Sequence, residues 1–220
     1  MTYFGPASGS LVVDDVPEDE DPEARREENR KRSARRRMAK VRRYCVANDI
    51  TKLWTLTYGV AQWDATEVMN DVNGFMRRLR DHLGEVVPYV YVLELHPGGH
   101  GIHVHIGLQD RWISHAQVRR LWGHGHVHYS KSRSGPKGAR MLARYLSKYM
   151  VKDLGLVGAG RHAYEVAQGF APVVRQIRVT TFREALDYVC ALHGKTPERV
   201  WSSDDTEGWR GPPTYALVFD

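Results

Sequence analysis

Two histidines in one apolar segment are the residues of this chain best suited to chemistry. His103 and His105 flank Val104 in the run IHVHIGL at 102–108. Because side chains alternate along a β-strand, both imidazoles should lie on one face, about 6.6 Å apart along the chain. Such a pair predicts a metal site, and the alternative is a pair of buried, hydrogen-bonded core histidines.

A carboxylate from the preceding segment is the expected third ligand. Residues 87–95 (VPYVYVLEL) have the pattern of a buried strand in which Glu94 is the one charged residue. Burying a carboxylate is costly unless a cation or another partner compensates it, so we assign Glu94 as a metal ligand. His96 and His100 are lesser candidates for the same role.

The pairing of these two strands can be predicted from the turn between them. Residues 97–99 (PGG) have turn chemistry, so the two strands should form a hairpin. If the turn begins opposite Ile102, Glu94 lies opposite His105, and a slip of one residue would move Glu94 to the other face.

Two imidazoles and one carboxylate leave coordination positions open, as a catalytic metal requires and a structural zinc site does not. Ligand type alone does not choose among Mg²⁺, Mn²⁺ and Zn²⁺. Nitrogen ligands favour the transition metals, whereas cellular supply favours Mg²⁺. We expect a divalent cofactor, Mg²⁺ or Mn²⁺.

A predicted helix at 139–154 carries two tyrosines and two lysines on one side. At about 100° per residue, roughly 100° of arc holds all four: Tyr145, Lys148, Tyr149 and Lys152. Tyrosines one turn apart are most often packing residues, which is the simpler interpretation. A phenol beside a metal and lysines can instead lose its proton and attack a phosphodiester in line with the departing oxygen.

These segments need a framework of strands and helices. Apolar and β-branched runs predict strands at 52–60, 87–95, 102–108, 126–131, 173–180 and 215–219. Helical spacing predicts helices at 64–83, 114–122, 139–154 and 182–192. This order predicts an α+β fold with a central antiparallel sheet and helices packed mainly on one face. Neither GxxxxGK[ST] nor GxGxxG occurs, so no common phosphate loop is indicated.

The opening of the chain separates its charges. Residues 14–24 hold seven acids and no base, whereas residues 25–43 hold eleven Lys or Arg against two Glu. We expect disorder over residues 1–24, which have little to bury, and a basic helix from Asp21. Such a helix favours contact with phosphates, and a solvated surface helix is the alternative.

Three parts are expected: an arm at 1–43, a core that carries the site at 44–160, and a completion of the same domain at 161–220. The net charge of +6 is compatible with a polyanionic partner. No run approaches the roughly 18 apolar residues of a membrane span. We therefore expect a cytoplasmic protein without a membrane partner.

Three ordered motifs together resemble the HUH endonuclease superfamily, and within it the rolling-circle replication initiators of plasmids and single-stranded-DNA phages. The motifs are LWTLTY at 53–58, ELHPGGHGIHVHI at 94–106 and YLSKYMVK at 145–152. The resemblance spans about residues 50–155. It implies a sheet of about five antiparallel strands that carries the metal, with the tyrosine helix beside it.

The resemblance also implies an activity and a ligand set. Members of this superfamily nick one DNA strand, hold the 5′ phosphate on a tyrosine and release a 3′ hydroxyl that primes replication. By position, His103, His105 and Glu94 correspond to the metal ligands. The expected substrate is single-stranded DNA at an origin, and a host helicase and polymerase in a bacterial cell are the expected partners.

The tyrosine motif supplies the nucleophiles in this comparison. Tyr145 and Tyr149 correspond to the paired nucleophiles, and Lys148 and Lys152 to the lysine that assists the phosphate or the phenolate. We expect Tyr145 to cut first, because it lies closer to the helix N-terminus, where the dipole favours negative charge.

Three alternatives remain open. A transposase or mobilisation relaxase would use the same chemistry. A non-catalytic DNA-binding initiator would keep the basic helix and the sheet, but would have no need of both histidines, Glu94 and both tyrosines. A zinc-stabilised RNA-binding module would need a fourth protein ligand.

Overall fold

The computed structural model describes residues 2–4, 22–131, 133–152, 164–173, 177–208 and 214–219, with the backbone alone at 2–4, 151–152 and 214. In chain order its elements are β1 (Thr2–Phe4), α1 (Pro22–Ala47), β2 (Ile50–Tyr58), α2 (Ala65–Leu83), β3 (Tyr89–Leu95), β4 (Ile102–Gln109), α3 (His115–Trp122), β5 (Gly125–Lys131), α4 (Gly135–Lys152), β6 (Tyr164–Val166), α5 (Phe182–His193), β7 (Arg199–Ser202) and β8 (Thr214–Val218). No helix within these ranges is long and apolar enough to cross a membrane.

The chain divides into two compact units. One is Asp21–Val173, and the other combines Met1–Glu20 with Val174–Asp220. These bounds differ from the expected division at residues 43 and 160. The larger unit includes the basic helix at its start and β6 at its end.

The larger unit is built on a five-stranded antiparallel sheet, which confirms the expected fold class. Its strand order is β5-β2-β4-β3-β6. The helices begin where sequence signals placed them. The Asp64 side chain accepts hydrogen bonds at the start of α2, and Ser114 and Gln117 form a capping box at the start of α3.

Both faces of this sheet are covered by helices. On one face α2 and α3 form an apolar core in which Phe75 packs with Val104 of β4. On the other face α1 and α4 form a second core in which Leu146 packs with Val90 of β3. This differs from the expectation of helices mainly on one face. The reason lies in β3, where residues 89–93 are all apolar or aromatic, as in strands covered on both sides.

The basic helix α1 is confirmed, and it is part of the larger unit rather than a separate arm. Its second half packs on α4 and buries four residues: Ala34, Val41, Tyr44 and Cys45. The Tyr44 hydroxyl also donates a hydrogen bond to the carbonyl of Ala167, at 3.3 Å. Residues 22–33 are exposed at every position. Thus α1 is anchored in the core by its second half, and its first half is free to contact other molecules.

The smaller unit contains a three-stranded antiparallel sheet in the order β1-β8-β7. Helix α5 packs on it through stacked rings, with Phe182 3.7 Å from Tyr215 between centroids. Because Thr2–Phe4 pairs with β8, disorder over residues 1–24 is not observed there, while 5–21 lie outside the described residues. Residues 177–179 form no strand, contrary to the expectation for 173–180, of which 174–176 also lie outside the described residues.

Candidate active site on the histidine face of the sheet

The alternation predicted for β4 is confirmed. Ile102, Val104 and Ile106 are fully buried in the core formed with α2 and α3. His103 and His105 therefore lie on the opposite face, the one covered by α4. We call this the histidine face.

The predicted pairing of Glu94 is wrong by two residues. Glu94 lies opposite His103, not opposite His105. The turn is longer than predicted, spanning residues 96–101, and the backbone N–H of its first residue donates to the carbonyl of its last, at 3.0 Å. Because a shift of two residues preserves the face, Glu94 still lies on the histidine face.

His105 and Glu94 are in direct contact at the centre of this face. Oε2 of Glu94 lies 2.7 Å from Nε2 of His105, and the side chains are 12% and 5% exposed. Nδ1 of the same ring is hydrogen-bonded to Oγ1 of Thr55 on β2, at 3.0 Å. Burial lowers the pKa of His105, although Glu94 opposes the shift, so the ring is neutral at pH 7. Thr55 thus fixes the ring orientation and turns Nε2 toward the carboxylate.

His103 lies beside His105 on the strand but has different neighbours. Its ring centroid is 4.5 Å from that of His96, which is 4.9 Å from that of His100. Burial, and then the neighbouring His96 and His105, lower the pKa of His103. This ring is therefore also neutral at pH 7.

The donor chemistry of this face fits a divalent cation in part. Neutral imidazoles and a carboxylate are suitable ligands, and the hydrogen bond from Thr55 is the outer support that ligating histidines usually have. Two of the three predicted donors, on His105 and Glu94, converge. Across the described ranges, however, no three His, Cys, Asp or Glu side chains already stand in an arrangement that would hold a metal ion.

Helix α4 brings both predicted tyrosines onto His105. The ring of Tyr149 is stacked on the imidazole, with centroids 4.3 Å apart and planes at 13°. Tyr145 meets the same imidazole edge-on at 5.9 Å. The hydroxyl of Tyr149 donates a hydrogen bond to that of Tyr145, at 2.7 Å. The simpler interpretation of these tyrosines as packing residues does not account for two joined hydroxyls above a histidine.

The predicted lysines differ in what can be said of them. Nζ of Lys148 lies 5.8 Å from the ring centroid of Tyr145, at the limit of a cation–π contact. The backbone of Lys152 is in α4, and its side chain lies outside the described residues.

The surroundings of Tyr149 favour its neutral form. Burial raises its pKa, and the hydrogen bond to Tyr145 and the charge of Glu94 raise it further. The same hydrogen bond places a donor on the oxygen of Tyr145, where it would stabilise negative charge. The two phenols are therefore not equivalent.

Gly107 allows α4 to lie close to the sheet. A Cβ atom at this position would lie 2.9 Å from Cγ2 of Ile50 and 3.3 Å from Cδ1 of Leu146. Both distances are shorter than ordinary contact. The absence of a side chain at Gly107 therefore sets how closely the tyrosine helix approaches the histidine strand.

Sequence reasoning did not assign a role to Thr55. The available signal was its place in the strand pattern at 53–57, where polar residues alternate with apolar or aromatic ones. That alternation puts a hydroxyl on a face, but only the pairing of Thr55 with His105 shows which side chain it meets.

Comparison with known proteins adds one match. Residues 51–154 match a family of replication-associated proteins of the ORF2 type. Comparison with curated proteins and with solved structures gives no match. The matched segment contains every residue predicted for the site, whereas α1 and the smaller unit lie outside it. The similarity supports a replication initiator role for the chain.

Proposed function

We propose that this protein is a metal-dependent endonuclease and strand transferase that nicks single-stranded DNA at a replication origin through a 5′-phosphotyrosine intermediate. The observation that carries the proposal is the stacking of Tyr149 on His105, with the Tyr145 hydroxyl 2.7 Å from that of Tyr149. Phenols, a neutral imidazole and a carboxylate thus meet on one face of the sheet, at the positions that the motifs indicated.

Tyr145 is the first nucleophile in this proposal. Its oxygen attacks phosphorus after losing its proton, and the bond between phosphorus and the 3′ oxygen breaks. The 3′ oxygen takes up a proton and leaves as a hydroxyl, while the 5′ phosphate becomes an ester of Tyr145. The hydroxyl of Tyr149 favours this order because it donates to the oxygen of Tyr145.

His105, Glu94 and His103 are the residues that would hold the divalent cation, Mg²⁺ or Mn²⁺. When bound, the cation would polarise the scissile phosphodiester and favour the phenolate. Thr55 keeps the His105 ring in the orientation that points Nε2 toward Glu94. The buried position of His105 also keeps bulk water from that nitrogen.

Helix α1 supplies positive charge for binding DNA. Five of its exposed bases fall on one side of the helix and have no ion-pair partner among the described residues: Arg25, Arg32, Arg36, Lys40 and Arg43. Other bases of α1 are paired with Glu27 or Glu28. The unpaired stripe is suited to phosphate contacts, which carry most of the affinity for nucleic acid.

A covalent-adduct assay tests the proposal. The protein is incubated with Mn²⁺ and a pool of labelled single-stranded oligonucleotides of randomised sequence, and adducts are separated on a denaturing gel. We expect an adduct that carries a 5′ phosphate on Tyr145, identified by mass spectrometry. Sequencing of the trapped DNA would give the nick site.

The matched control is the double variant Tyr145→Phe/Tyr149→Phe, which keeps both rings and loses both hydroxyls. It should bind the pool and form no adduct. Binding without an adduct by the unaltered protein, with either Mg²⁺ or Mn²⁺, would contradict the proposal and favour a non-catalytic binding protein.

A further inference from the structure

A second His-Val-His sequence lies on β5. It comprises His126, Val127 and His128, and none of these residues takes part in the site described above. Val127 is buried in the core formed with α2 and α3, whereas both histidines are exposed. Strand alternation therefore places both imidazoles on the face opposite that core, which is the histidine face.

The strand pairing aligns this second pair with the first. Thr55 of β2 lies opposite His105 on one side and opposite His128 on the other. The next outward-facing residue of β2, Thr57, lies opposite His126. Because neighbouring strands are about 4.8 Å apart, His128 lies about 10 Å across the sheet from His105.

This part of the histidine face is open. Helix α4 packs over β2 and β3, and β5 is the edge strand beyond β2. Neither imidazole of the second pair has a hydrogen bond, ion pair or ring contact with another residue in the part of the chain that the structure describes. The nearby His115, by contrast, is bonded through Nε2 to the Val127 carbonyl, at 2.7 Å. The second pair thus has no structural role of that kind.

We propose that His126 and His128 bind the sugar–phosphate backbone of single-stranded DNA and hold the strand across β2 and β5 next to the cleavage centre. This inference rests on the proposed function and adds a second part to its substrate site. Imidazole N–H groups are suitable donors to phosphate oxygens, and contacts of this kind set the position of a strand without reading its sequence. The two are positioning residues, since they lie too far from His105 to touch the reacting atoms.

Two measurements test the pair in the double variant His126→Ala/His128→Ala. The first is the affinity for a labelled oligothymidylate in the Tyr145→Phe/Tyr149→Phe background, measured by fluorescence anisotropy. The second is kcat and KM for adduct formation in the unaltered background. We expect Kd and KM to rise by about tenfold, the effect of losing two neutral hydrogen bonds, with kcat unchanged.

Two further variants control for structure. His126→Gln/His128→Gln keeps an N–H donor at each position and should restore most of the affinity. His82→Ala removes an exposed histidine of α2, which packs on the opposite face, and should leave Kd and KM unchanged.

The outcomes separate this inference from the proposed function. Unchanged Kd and KM in the alanine variant, with normal adduct formation by the unaltered protein, would overturn the role of β5 alone. A fall in kcat with unchanged KM would also overturn it, because it would place the pair in the chemistry. Failure of the unaltered protein to form an adduct would overturn the proposed function, while the oligothymidylate affinities would still report on the pair.

Discussion

On one face of the five-stranded sheet, Val104 and Ile106 of β4 pack among apolar residues of α2 and α3. On the other face, the intervening His103 and His105 meet Glu94 and the tyrosines of α4. The same strand therefore serves two purposes with alternate residues. The first face is held by apolar burial, and the centre of the second is held by hydrogen bonds between polar groups.

This difference separates stability from chemistry within a few ångströms. Changes on the core face should affect the free energy of unfolding, because they leave cavities in a closed interior. Changes on the histidine face should affect activity more than stability, because its centre borders solvent and its groups interact through directed contacts.

The largest expected effect is on the histidine face, at Tyr145. Tyr145→Phe should reduce adduct formation by at least about a thousandfold, because it removes the attacking oxygen. Tyr149→Phe should spare the first cut and impair strand transfer, since one helical turn separates the phenols by about 6 Å along the axis. Denaturing gels with single-stranded DNA and Mn²⁺ measure both steps. An adduct in the double variant would move the nucleophile away from α4.

The next effect is on the core face. Ile106→Ala should lower the free energy of unfolding by about 2–5 kcal/mol, because Ile106 is fully buried and its truncation leaves a cavity. Urea denaturation measures this loss. The variant should still form adducts at temperatures where it is folded. A large loss of activity in fully folded Ile106→Ala would show that the two faces are not separable.

Thr55→Val reverses that pattern. It removes the hydroxyl that orients His105 and keeps the volume of the side chain. We expect the affinity for Mn²⁺, followed by calorimetric titration, to fall by about 10–100-fold. The free energy of unfolding should change by only about 1 kcal/mol. Equal Mn²⁺ affinity in the variant and the parent would argue against a metal bound by His105.

A smaller effect is expected from α1, which lies on the same face but outside its centre. Arg32→Gln/Arg36→Gln/Lys40→Gln should make the dependence of single-stranded DNA binding on salt shallower, by about 0.7 in log–log slope for each lost phosphate contact. Arg30→Gln/Lys31→Gln is the matched control, because both bases already pair with Glu27. Identical slopes in all three proteins would identify α1 as a solvated helix.

The smallest effect concerns the rim of the sheet and pH. Lys52 and Lys131 hold the pKa of Asp110 below its usual value through hydrogen bonds. The stabilisation is thus present above the unfolded value near pH 4 and is lost as pH falls through the lower folded value. It should be modest, since Asp110 is 32% exposed. Asp110→Asn should reduce the acid sensitivity of unfolding below pH 4, and an unchanged pH profile would contradict this assignment.

Local signals predicted much of the fold. The apolar spacing of α2 identified the residues that it buries, among them Val68, Val72 and Phe75. The alternation of β4 identified which face the histidines occupy. In each case the information is contained within one element, because burial of one side follows directly from helical or strand geometry.

Features that depend on distant contacts were not predictable in this way. The pairing of Glu94 depends on a turn whose last residue, Gly101, adopts a left-handed conformation with φ of 78°. Gly101 lies against the backbone of Gln62, where a Cβ atom would be 2.5 Å from the carbonyl oxygen. The loop before α2 therefore helps to set the length of the hairpin turn. Likewise, the approach of Tyr149 to His105 joins residues far apart in sequence, and only the resemblance to a family indicated it.

One consequence of Gly107 concerns how finely the reactive centre is gauged. Leu146 rests where a methyl group at 107 would be, and Tyr145 and Tyr149 flank Leu146 on the same rigid helix. The gap between phenol and imidazole is thus inherited from a residue that touches neither. A single methyl group there would act as a shim beneath α4, moving both phenols outward together by a few tenths of an ångström. The tolerance of the nucleophiles is therefore fixed at a position that has no side chain at all.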